Sequence, residues 1–345
     1  MAATGAQWPT SQWPTWFGEN YTDAVERLIV RVDVAYKDKC ARMLRGEAYT
    51  FAQGWQDWYI WHNVFRQTHS LEWGDGFYLD IGSNHPTVAS NTLFFDKCLG
   101  WQGVCFEPQV RYHGMTQRHR SCKLVPACVL GSSQSAVFSG YGPAGRLIDI
   151  VSSTSTSSAR ESTDTQRKRC VVAAEALREL GYHRRHVDLM SVDIEGSESS
   201  VLRCWPFKSL PIRAILMETE QYAGEMLAVD RYFHRHGYAN VQSFSTAMTG
   251  RSASFTDNLF VRQQPLPVYP NLTTDDRAAR GSMCPHGLRA HMHWWCAPFM
   301  MWEPESKLWG RCDSGSAGSM KGKRKAGSRR LAAANITADM SLARI

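Results

Sequence analysis

Two acidic positions and one glycine turn carry the first chemistry that can be read from this chain. Asp80, Gly82, Ser83 and Asn84 lie together in the stretch Gly76-Phe-Tyr-Leu-Asp80-Ile-Gly82-Ser83-Asn84-His85-Pro86, and Glu107 closes a second apolar run, Gly103-Val-Cys-Phe-Glu107-Pro108. Both runs are short, aromatic and β-branched, and glycine precedes each, which is the pattern of buried strands. A glycine in the turn after the first strand lets backbone approach a ligand closely. An acid ending the second strand can accept both hydroxyls of a ribose, and in a doubly wound sheet the two tips are neighbours at the switch in strand order. The pattern therefore predicts a nucleoside-cofactor site built from Asp80, Gly82 and Glu107, with Ser83 and Asn84 supplying the turn.

The type of cofactor follows from what the turn contains. A dinucleotide site uses G-x-G-x-x-G at the start of a helix, because a pyrophosphate needs close backbone approach and a helix N-terminus. Here a single glycine is followed by His85-Pro86. S-adenosylmethionine carries no phosphate, and one acid near its amino-acid end with another on its ribose suits it better. A nicotinamide-dependent oxidoreductase on a similar sheet is the weaker alternative, and a cofactor-binding module without catalysis is a third.

The motifs resemble those of the FkbM family of S-adenosylmethionine-dependent methyltransferases. The likeness rests on Asp80-Ile-Gly82-Ser-Asn84-His85-Pro86, then Ser90-Asn91-Thr92, then Gly100-Trp101-Gln-Gly103-Val-Cys-Phe-Glu107-Pro108. It continues with Val187-Asp188-Leu-Met-Ser191-Val-Asp193-Ile-Glu195-Gly196-Ser-Glu198 and Asp257-Asn258-Leu259-Phe260-Val261-Arg262, in the family's order, over about residues 53–263. The resemblance implies an α/β fold of the class I methyltransferase type: a mostly parallel seven-stranded Rossmann-like sheet with helices on both faces and the last strand antiparallel. It also implies methyl transfer, usually to oxygen, with a small-molecule or glycan hydroxyl as acceptor. Pro86 stands where many methyltransferases have a second glycine, and the branch with the H-P sequence shares it.

Deprotonating an alcohol needs a general base within hydrogen-bond reach. Asp193, Glu195, His85 and Glu220 are the candidates. Asp193 and Glu195 stand two apart at the end of a strand, and residues two apart on a strand share a face. They read as base or substrate-orienting groups in preference to ligands of a divalent metal, although paired carboxylates suit Mg²⁺. Asp193 also reaches the cofactor in this reading.

The elements that must position these groups alternate between strand and helix. One helix is expected within residues 24–43 and an aromatic-rich segment follows at 54–65. Strands are expected at 77–81, 103–107, 123–130, 187–192, 212–217, 237–244 and 259–262. Crossover helices are expected at 91–98, 112–120 and 171–181, the last ended by Gly181. Ser132, just past the third strand, is a candidate contact for the adenine. Residues 140–169 hold the run Ser152-Ser-Thr-Ser-Thr-Ser-Ser158 and read as a mobile insertion. The organisation expected is an N-terminal arm and helix over 1–52, the methyltransferase-like domain over 53–263, and an irregular, largely disordered tail over 264–345.

With 345 residues, 43% of them hydrophobic, the chain can bury a large core. The net charge of +7 gathers in the tail at Lys321, Lys323, Arg324, Lys325, Arg329 and Arg330. That tail reads as solvated, with no clear nucleic-acid partner. The 10 cysteines form no compact framework. Cys284, His286, His291, His293, Cys296 and Cys312 match no strong zinc spacing. No run approaches the roughly 18 apolar residues of a membrane span. Reduced thiols in the cytoplasm are the resulting expectation.

Overall fold

A computed structural model describes residues 20–66, 69, 71–139, 146–151, 165–182, 186–245, 256–263 and 309. Helices α1 (Asn20–Arg31), α2 (Lys37–Leu44) and α3 (Gln56–Ile60) come first, and α3 runs into one π-helical stretch at Trp61–Phe65. Then follow β1 (Phe77–Ile81), α4 (Leu93–Lys97), β2 (Gln102–Phe106), α5 (Val110–His119), β3 (Lys123–Val125) and β4 (Cys128–Val129). Next are β5 (Gln134–Ser139), β6 (Arg146–Val151), β7 (Thr165–Val171), α6 (Ala173–Glu179), β8 (Val187–Val192) and α7 (Glu198–Arg203). The series closes with β9 (Ile212–Glu218), α8 (Met226–Arg235), β10 (Tyr238–Ser245) and β11 (Thr256–Arg262).

The main sheet has seven strands in the order β10-β11-β9-β8-β1-β2-β3. All neighbours pair in parallel except β11, which runs antiparallel to both β9 and β10. This is the mostly parallel α/β sheet expected from the sequence. The strand order reverses at β1, so the tips of β1, β2 and β8 border one crevice. Every residue of β1 and β8 is buried, because helices cover both faces of the sheet. Alternation along β1 divides the core: Phe77, Leu79 and Ile81 pack with α6, α7 and α8, whereas Tyr78 packs with α1, α2 and α4.

The structure corrects several expectations. The single helix over 24–43 is two helices, because the Asp33 carboxylate accepts the Ala35 N–H at 2.9 Å and forms a local turn that competes with helix. The third strand breaks at Pro126, leaving β3 in the main sheet and β4 in a second sheet of order β4-β7-β5-β6. The described parts of the 140–169 insertion are strands of that second sheet, β6 and the start of β7, so they are not loop. The helix expected from 171 starts at Ala173. The serine-rich run, the N-terminal arm and the Cys/His cluster lie outside the described residues. Trp309, the described residue of the tail, is 2% exposed and packs on Tyr222 and Tyr232.

Reduced thiols are also corrected. Cys40–Cys98, Cys105–Cys122 and Cys128–Cys170 are disulfides, Cys204 is disulfide-bonded, and no cysteine among the described residues is free. The sequence spacing hid these pairs because each joins elements that only the fold makes adjacent, such as α2 with α4. Disulfides persist in oxidising compartments, so the cytoplasmic assignment loses the thiol argument that supported it. No helix among the described residues is long and apolar enough to cross a membrane.

Candidate active site

One pocket lies beyond the tips of β1, β2 and β8. Gly82, Asn84, Glu107, Asp193 and Glu195 line it, beside the apolar surfaces of Phe106, Pro108, Ala127, Val129 and Leu130. Its floor depends on Gly82, which has φ +83°, and a Cβ there would overlap the Asp193 carbonyl oxygen. The reason for this glycine differs from the one expected. The Gly82 and Ser83 N–H groups both donate to the Phe106 carbonyl, at 3.0 and 3.1 Å, so they are spent inside the protein. The glycine is needed because the turn passes directly against the end of β8.

Glu107 is 2% exposed. Its Oε2 accepts the Asn84 N–H at 2.7 Å and its Oε1 accepts the Gln109 N–H at 2.6 Å. Each carboxylate oxygen retains acceptor capacity for a ligand hydroxyl. Burial pushes the Glu107 carboxyl up to about 7, and the two N–H donors pull against that shift. Asn84 reaches its position through a left-handed backbone, φ 47°, a region that asparagine tolerates better than most residues.

Asp80 is not in the pocket. Its side chain faces the other layer, where Oδ2 accepts the Thr92 hydroxyl at 2.5 Å and lies 3.5 Å from Arg120. Arg120 is wholly buried. It donates to Asp96 at 2.6 Å, Thr92 at 2.6 Å, Ser90 at 3.2 Å, the Tyr78 hydroxyl at 3.2 Å and the Pro86 carbonyl at 3.4 Å. The Pro86, Ser90 and Thr92 positions of the sequence motif are thus the anchor points of one guanidinium. Burial opposes the charge of Arg120, and Tyr78, Asp96 and Asp80 outweigh it and hold its pKa above the usual value. Burial still dominates at Asp80, whose pKa is raised, whereas at Asp96 burial is outweighed by Arg120, Lys97 and Ser121 together, and the pKa is lowered. Sequence reasoning missed Arg120, which lies just past α5 with no motif around it.

His85 and Ser132 also stand apart from the pocket lining. His85 accepts the Thr87 N–H on Nδ1 at 3.3 Å and packs 6.0 Å from the Tyr112 ring, as a turn residue does. Burial, then His119, lowers its pKa. Ser132 is exposed past β4. Ser83 is buried, and its hydroxyl has no hydrogen-bond partner.

The second carboxylate group comes together as anticipated, through a turn instead of strand pleat. Glu195 has φ 56°, and the turn is held by Glu198, whose Oε1 accepts the Ile194 and Gly196 N–H groups at 2.9 and 3.2 Å. The Tyr222 hydroxyl donates to the other Glu198 oxygen at 3.0 Å. Asp193, Glu195 and Glu218 each place an oxygen within 4.8 Å of the other two, a spacing that a metal ion could bridge. Glu218 carries a buried oxygen without a hydrogen-bond partner. Solvent reaches Asp193, yet the protein packed around it, then Asp257, Glu198 and Glu195, raises its pKa. Burial and Asp193 raise Glu218 likewise. The neighbouring Asp257 is buried and accepts the Gln56 amide at 2.6 Å. Asp257 opens one of the sequence motifs, but neither it nor Glu218 nor Gln56 was named as a site residue, since their placement around Asp193 depends on the assembled sheet.

Residues 80–239 match the family described as Methyltransferase FkbM domain. This stretch is similar to an FkbM methyltransferase domain. It spans β1 to the start of β10 and holds every pocket-lining residue named above. Among solved structures, the chain is similar to a "putative RNA methyltransferase" of Pyrococcus horikoshii, with 8% identity and a TM-score of 0.30 over 71% of this chain and 99% of that one. No curated protein matches the sequence.

Proposed function

We propose that the FkbM domain transfers a methyl group from S-adenosylmethionine to a hydroxyl oxygen of a small molecule or glycan. The observation that carries this is the shared pocket of Gly82 and Glu107 at the switch point of the sheet, in a chain that matches this family's domain. The residues present fit the cofactor. Glu107 has free acceptor capacity where a ribose would lie, and Phe106, Pro108 and Ala127 offer apolar surface for a flat base. The carboxylates of Asp193 and Glu195 suit a cationic sulfonium and ammonium. When bound, S-adenosylmethionine supplies an electrophilic methyl group.

The chain's own residues do the rest. Glu107 orients the nucleoside. Asp193 accepts the proton of the acceptor hydroxyl, and its raised pKa brings it nearer to that task than an ordinary aspartate. Asp257, Glu198 and Glu195 sustain that raised pKa by their charge, and Glu195 and Glu218 help to orient the acceptor. The turn also counts against a nicotinamide dinucleotide, because the two N–H groups that would cradle a pyrophosphate bind Phe106 instead. The disulfides support an oxidising compartment for the protein.

Titration calorimetry with S-adenosylmethionine and S-adenosylhomocysteine tests the reading. Binding of both ligands by the wild type and loss of binding in Glu107→Ala support it, and absence of heat with either ligand overturns it. Transfer of a labelled methyl group to hydroxyl-bearing acceptors then separates catalysis from binding alone.

A further inference from the structure

The second sheet forms one wall of the pocket, and nothing in the sequence motifs points to it. Strands β5 and β7 pair antiparallel with Phe138 opposite Gln166 and Ala136 opposite Lys168. Directly opposed residues on an antiparallel pair share a face, and so do residues two apart on one strand. Phe138, Gln166 and Lys168 therefore point the same way, and all three line the pocket. Ala136, buried beside Lys168 on the paired strand, is small and leaves room for that side chain. Cys170 continues the face, and its disulfide to Cys128, itself a lining residue, ties β7 to the pocket rim.

We propose that Gln166 and Lys168 are specificity-determining residues for the nucleoside half of the cofactor, with Gln166 reading the adenine edge and Lys168 donating to the ribose. The assignment rests on the S-adenosylmethionine reading above. The carboxamide of glutamine presents one donor and one acceptor side by side, the complement of the adenine amino group and N7, where the deaminated base presents two acceptors. Lysine only donates. Its ammonium lies in the field of Glu107, the ribose-binding carboxylate. Among the described residues it has no ion pair or hydrogen bond, so its donors remain available to a ligand. The Phe138 ring beside Gln166 supplies a face on which the base can rest.

The test is calorimetric titration of the wild type and of Gln166→Ala, Lys168→Met and Arg167→Ala with S-adenosylhomocysteine and with its deaminated analogue S-inosylhomocysteine. Arg167 is exposed on the opposite face of β7 and serves as the control. The wild type should prefer the adenine ligand by about tenfold, the worth of one or two neutral hydrogen bonds. Gln166→Ala should bring the two ligands to within about twofold of each other, Lys168→Met should weaken both alike, and Arg167→Ala should change neither. Retention of full affinity and of base preference in Gln166→Ala overturns this assignment while leaving the cofactor reading in place. No binding by the wild type overturns both.

Discussion

The Asn84 N–H donates to Glu107 Oε2 at 2.7 Å, and this bond joins the turn after β1 to the tip of β2 across the pocket. The bond makes the cofactor site a property of two strands together, and it ties ligand affinity to the charge on one buried carboxyl. Burial raises the Glu107 pKa from 4.5 to about 7. Ribose hydroxyls donate to the ionised form, so the complex binds fewer protons than the free protein and affinity rises with pH. S-adenosylhomocysteine should bind more tightly as pH increases from 6 toward 8, levelling above about 7. Calorimetry across that range checks it, and Glu107→Gln should flatten the profile. The same shift has the opposite sign for stability. A carboxyl with a raised folded pKa destabilises the fold as pH climbs above its unfolded value, so the melting temperature of the wild type should fall as pH rises from about 4.5 to about 7, and Glu107→Gln should flatten that dependence.

Arg120 compensates Asp96 and Asp80 in a site without water access. Replacing it by methionine leaves buried carboxylates without a counter-charge. The expected loss is about 3–5 kcal/mol of unfolding free energy, read by urea denaturation at neutral pH. Acidification should recover part of the loss, because protonation removes the uncompensated charge. A variant as stable as the wild type at neutral pH would show that the network is dispensable.

Gly82→Ala combines a left-handed backbone with a Cβ that overlaps the Asp193 carbonyl. The conformation alone costs about 1 kcal/mol, and the overlap forces β1 and β8 apart at their tips. Cofactor affinity should fall by about tenfold or more, because the displaced turn carries the Asn84 donor of Glu107. Comparable affinity in this variant would mean that the turn yields freely.

Asp193→Asn keeps the size of the side chain and removes the base. Turnover should drop by about 10²–10⁴-fold, a larger loss than the accompanying weakening of S-adenosylhomocysteine binding. Single-turnover transfer of labelled methyl checks the first part and calorimetry the second. Unchanged turnover would move the role of base to Glu195 or Glu218.

Local sequence determined the strands and the turn of this protein. The run from Phe77 to Glu107 encodes two buried strands, a turn glycine and a terminal acid, because hydrophobic alternation and glycine act over a few residues. The same locality identified Asp193 and Glu195 as neighbours. Asp80 looked like a ligand residue because it adjoins Gly82, but only the packed structure brings Arg120 and Thr92 to its carboxylate and takes it from the pocket. Gln166 and Lys168 were hidden for the same reason: their facing depends on pairing with β5, decided by register between separated strands. The disulfides, such as Cys40–Cys98 with partners 58 positions apart in sequence, belong to this second group. Backbone conformation is set by near neighbours, whereas the partners of a buried side chain are set by burial against distant segments, and the division of charge between pocket and core emerges only then.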